Sequence, residues 1–187
     1  MHDIAKALVA SIKTLTCLFG KKIREADIRL QEKQQAEQKR LRTQQANQIK
    51  TDLNPKIKII LKNNIYFQDV GTIAISKCEY NEQTAYWDIT IETLLKTTHN
   101  LEHPRVITTL NDSKDVYFRE LQLEQQNDWV ELAKAENSPT AELNQINLMR
   151  YQIDQRYQLL NHSLDFVSVK CTESGGYTNA QIFVRFR

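Results

Sequence analysis

The chain is poor in the residues that punctuate a fold or build a ligand cradle. It has four glycines among 187 residues. Gly20, Gly71, Gly175 and Gly176 are placed so that neither a Walker loop nor a dinucleotide-binding fingerprint can be assembled. The three cysteines, Cys17, Cys78 and Cys171, are odd in number, widely separated and without CxxC spacing, which argues against a disulfide framework and a structural zinc site. Buried thiols and a reducing, cytoplasmic setting are the expectation, with the chain free or peripheral to a membrane or assembly. No run of eighteen apolar residues is present to span a bilayer. Lys6 and Lys13 interrupt the apolar N-terminal stretch, and no small-x-small cleavage site follows, so an export signal is not expected. No serine occupies a G-x-S-x-G elbow.

What the chain does have is a division of charge. Residues 1–50 carry eleven basic side chains against five acidic ones, a net of +6, while the remainder carries fourteen basic and eighteen acidic, a net of −4. Such asymmetry marks an interaction arm attached to a folded body. With 41% hydrophobic residues, the body is large enough for a real core. The expected organisation is an arm over 1–53 and an α+β globular domain over 54–187, whose mainly antiparallel sheet is covered by one long helix.

Within the arm, Ile4, Leu8, Ile12, Leu15 and Phe19 recur at helical spacing and form one apolar stripe. Asp3 can cap this amphipathic helix, 3–19, and Gly20 can end it, making a hinge. The stripe is the expected binding face for a protein partner or a second copy. A long helix is expected over 21–53, which lacks Pro and Gly and is rich in Gln, Glu, Lys, Arg and Ala. Ile23 and Leu30 begin a heptad that fails at Glu37 and Gln44, so a sustained coiled coil is not expected. Lys21, Lys22, Lys39, Arg40 and Arg42 are candidate contacts to phosphates or an anionic membrane surface, although no aromatic interleaves them for base stacking.

In the body, Asn54-Pro55 is expected to break the helix and Lys56–Leu61 to form a strand. Two hairpins are expected, 70–80 with 84–91 and 164–171 with 180–186, the latter turning at Ser174-Gly175-Gly176. Residues 92–101 either extend the strand or turn into a short helix, which the spacing of Ile91, Leu94, Leu95, Thr98 and Leu101 slightly favours. A third hairpin is expected over 106–110 and 116–123, with a turn at Asn111-Asp112-Ser113-Lys114, and a short helix capped by Asp128 follows it. Ser138-Pro139 is a helix start, and Leu143, Ile146, Ile153, Tyr157 and Leu160 would lay that helix, 139–161, on the sheet.

One motif has catalytic form. His99-Asn100-Leu101-Glu102-His103 matches H-x-x-E-H, in which two histidines on one helical side hold a metal and the glutamate activates its water. Pro104 pushes His103 into an extended conformation at a helix end, and no third ligand is apparent. A metal-dependent hydrolase is therefore the remote alternative. The expected function is a non-enzymatic interaction or assembly protein without a cofactor or metal, which docks through its arm, with nucleic acid or an anionic membrane surface as the alternative partner.

Overall fold

The computed structural model describes residues 2–96, 101–140 and 142–187, with side chains from Asp27 onward. It contains helices α1 (His2–Lys62), α2 (Pro104–Glu136) and α3 (Leu143–Arg156) and strands β1 (Val70–Asn81), β2 (Tyr86–Leu95), β3 (Leu164–Ser174) and β4 (Tyr177–Phe186). The strands form one antiparallel sheet in the order β1-β2-β4-β3. The chain divides into two units, Met1–Gln45 and Ala46–Arg187.

The expected helix break at Asn54-Pro55 and strand at 56–61 are both corrected. α1 runs through Pro55 to Lys62, and its backbone is equally helical across Gly20, where a hinge was expected. Leu53, Ile57, Ile60 and Leu61 lie on one helical side and are at most 1% exposed, whereas Ile59, which a strand would bury with Ile57 and Leu61, is 46% exposed. An interior proline costs about 3 kcal/mol, while burying four aliphatic side chains contributes about 1.5–3 kcal/mol each. Burial wins. Pro55 and Thr51, the residue whose carbonyl loses its donor, are both exposed, so water can satisfy that carbonyl.

The expected hairpin over 106–123 is instead the first half of α2, and the short helix at Asp128 is its second half. His103 is the N-cap and Pro104 takes the first turn, where its missing N–H is harmless. The polar tetrad taken for a turn sits in mid-helix. Ser113 Oγ donates to the carbonyl of Thr109 and Asn111 Nδ2 to that of Ile107, so both side chains remain bonded within the helix. Asn111 also reaches the outer edge of β3, accepting from Phe166 N and donating to Phe166 O, both at 3.0 Å. Glu102 Oε1 accepts from Cys171 N on the same strand. The side chains thus occupy edge groups that would otherwise invite strand addition.

β2 continues through Leu95, the strand alternative for this stretch, while residues 97–100 lie outside those described. The two remaining expected hairpins form. Gly175 and Gly176 both have positive φ, as a two-residue turn with right-handed strand twist requires. The Asn81 turn is held by its own Oδ1, which accepts from Gln83 N and Thr84 N.

One sheet face is apolar. Ile73, Ile89, Ile91, Ile182, Val184, Phe166 and Val169 pack with the C-terminal part of α1, Phe67, Leu101 and the start of α2. The sheet is therefore not covered by a helix at 139–161. α3 starts at Leu143, after a turn in which Ser138 Oγ accepts from Thr140 N, and gives way to a 3-10 turn over Gln158–Asn161. Its residues Ile146 and Ile153 pack on Leu132 and Trp129 of α2, building a second small core, while Leu143 is 74% exposed. Tyr157 and Arg156 both bond Asp128 Oδ2, at 2.8 and 2.9 Å, which ties the end of α3 to α2. Among the described residues no helix is long and apolar enough to cross a membrane.

Candidate functional site

The expected partner-binding residues Ile4, Leu8, Ile12, Leu15 and Phe19 lie on the α1 backbone, but their side chains, like those of Lys21 and Lys22, fall outside those described. Farther along, every side chain from Asp27 to Leu41 is exposed, Lys39 and Arg40 included, and Arg42 is half-exposed. At 100° per residue, Lys39, Arg40 and Arg42 spread over about 160° of the helix and do not form one stripe. Arg29, Lys33 and Arg40 do, falling within about 40° of one another. The spacing of four and seven residues carries that signal in the sequence, where attention to the densest charges hides it.

His99 lies outside the described residues. Glu102 and His103 precede α2 instead of sharing a helix: the glutamate bonds the β3 edge, and His103 Nδ1 accepts from Arg105 N at 3.2 Å. Among the described residues no three His, Cys, Asp or Glu side chains gather as metal ligands. The buried Cys78 thiol is pushed up to about 11, chiefly by desolvation, and partial burial also raises Cys171, so neither is an activated thiolate.

The sheet face opposite the core carries a groove of about 510 Å³, a size within the ordinary range for small-ligand pockets. Strand register builds its floor from two rows. Ala74, Glu92, Gln181 and Lys170 are consecutive partners across β1, β2, β4 and β3, and Thr72, Leu94, Asn179 and Thr172 form the next row. Bulges between Ile75 and Lys77 on β1 and between Phe166 and Ser168 on β3 lie beyond the groove on the edge strands. Such bulges bend a strand and increase its local twist.

The groove's polar side chains are uncommitted. Glu92, Lys170, Asn179, Gln181, Thr72 and Thr172 make no side-chain hydrogen bond or ion pair among the described residues. Lys170 Nζ stands 5.5 Å over the Phe183 ring, a cation–π contact that leaves its N–H groups available. Elsewhere on this face the charges are paired: Asp88 with Arg185 and Asn81, and Asp165 with Lys114. No family model, curated protein or solved structure matches the chain.

Proposed function

We propose that the chain is a non-enzymatic interaction or assembly protein that uses α1 to dock on a protein partner or a second copy. The observation that carries this reading is the exposure of α1 from Asp27 to Leu41, with Ile28, Leu30 and Leu41 at 54, 56 and 53%. A helix that is largely polar all round gains little from its own burial, so its stability rests on local pairing or on a partner. Leu30 and Leu41 are eleven residues apart, three turns, and therefore lie on nearly the same side about 16 Å apart. The N-terminal sequence stripe Ile4, Leu8, Ile12, Leu15 and Phe19 supplies the larger apolar surface for the same association.

The test is sedimentation and pull-down with the full chain, with a chain beginning at Ala46, and with a Leu8→Asp, Leu15→Asp variant. Association is expected only for the full wild-type chain, and an unchanged mass and partner set in all three removes the proposal. Arg29, Lys33 and Arg40 favour a second reading, a nucleic-acid backbone or an anionic membrane surface. That attraction falls steeply with salt, by about 0.9 power units per phosphate neutralised on duplex DNA, whereas apolar docking is salt-tolerant. Arm-dependent binding to duplex DNA, RNA or anionic liposomes that collapses in moderate salt would select it.

A further inference from the structure

We infer that the groove on the outer sheet face is a binding site for a short free peptide of about three residues, held as a zwitterion across the strands. This goes beyond the proposed role of α1 and uses a different surface. Glu92 on β2 and Lys170 on β3 are both register partners of Gln181 on β4, so their backbones are two ladder steps apart, about 10 Å. An extended chain advances about 3.3–3.6 Å per residue, so a tripeptide lying across the strands spans the distance between the two backbones, within reach of both side chains.

The chemistry between the two charges also suits a peptide. Gln181 and Asn179 each present an amide with donor and acceptor groups, Thr72 and Thr172 each present a hydroxyl, and half-buried Leu94 offers an apolar spot among them. Ala74, on the β1 side, is small and leaves room for a modest side chain. The ligand's ammonium would pair with the Glu92 carboxylate and its carboxylate with the Lys170 ammonium. Its peptide groups would then meet the Gln181 and Asn179 amides. The charged side chains Asp88, Arg185 and Asp165 elsewhere on this sheet face are paired, whereas, among the described residues, those of Glu92 and Lys170 are not.

The test uses the full chain and tri-alanine as probe, followed by backbone amide NMR and calorimetry. Tri-alanine is expected to shift the amides of Glu92, Leu94, Gln181, Asn179 and Lys170. N-acetyl-tri-alanine and tri-alanine amide should each bind at least about tenfold more weakly, the loss expected for one charge-assisted bond. Acetylation should have no further effect in Glu92→Gln, nor amidation in Lys170→Gln. Both positions are exposed, so the variants are expected to keep the wild-type circular dichroism. The double exchange Glu92→Lys, Lys170→Glu should restore tri-alanine binding with the peptide reversed. Absence of shifts at millimolar tri-alanine, or equal binding of the capped and free peptides, overturns the inference.

Discussion

If the C-terminal part of α1 belongs to the globular core, a fragment beginning at Ala46 should fold and one beginning at Asn63 should not. The deleted segment contributes Leu53, Ile57, Ile60 and Leu61, each at most 1% exposed. At about 1.5–3 kcal/mol per side chain, their burial amounts to roughly 6–12 kcal/mol, comparable with the 5–15 kcal/mol net stability of a whole domain. Ordering the helix offsets part of this gain, but its removal also uncovers the apolar sheet face. Point substitutions test the geometry more sharply. Ile60→Ala should cost about 2–5 kcal/mol, because it opens a cavity in a closed core, whereas Ile59→Ala should stay within about 0.5–1 kcal/mol. Urea unfolding followed by circular dichroism and by the fluorescence of half-buried Trp87 measures both. The 46–187 fragment should show one cooperative transition and the 63–187 fragment none. Equal losses at Ile59 and Ile60, or cooperative unfolding of 63–187 with undiminished stability, would refute the helical assignment and return this segment to a strand.

Asn111→Ala should lower stability by about 2–3 kcal/mol in the same urea assay, since two bonds to the Phe166 backbone are lost and a part-buried N–H and C=O are left bare; a change below about 0.5 kcal/mol would show that water replaces the amide. Thr93 is 4% exposed and its hydroxyl has no partner among the described residues, so Thr93→Val should raise the melting temperature, by the equivalent of about 1 kcal/mol, and a fall would indicate a hidden partner. Cys78 provides a pH test: its thiol ionises near 9.0 when free of burial and at about 11 in the fold. Because the folded value is raised, the contribution is complete below pH 9 and is lost as pH rises through 11. The stability of the wild type relative to Cys78→Ala should therefore shrink between pH 8 and pH 10.5, by on the order of 1–2 kcal/mol, and a constant difference would contradict it.

The parts legible in the sequence were those decided by neighbours along the chain. Alternation in 70–80 and 164–171, the Asn81 turn and the paired glycines at 175 and 176 indicate two hairpins because a strand's period and a turn's φ values are local requirements. The apolar spacing of Ile146, Ile153 and Tyr157 likewise marks α3, although not the surface it meets. Val106, Leu110, Val116 and Leu123 were ambiguous, since short apolar runs flanking a polar tetrad suit either a hairpin or one helix. Asn111 resolves that ambiguity by bonding Phe166, 55 residues away, which no local window contains.

The candidate site illustrates the same limit. Thr72, Glu92, Lys170 and Gln181 are unremarkable polar residues on four strands, and nothing in their sequence spacing brings them together. Strand order and register do, because side chains alternate faces and a one-residue slip would send each of them to the core. By itself the sequence determined the charge division and two hairpins, which depend on composition or on contacts a few residues apart. Only the tertiary structure decided that α1 passes through Pro55, that α2 is one helix and that a polar groove forms, because each depends on burial or pairing against residues distant in the chain.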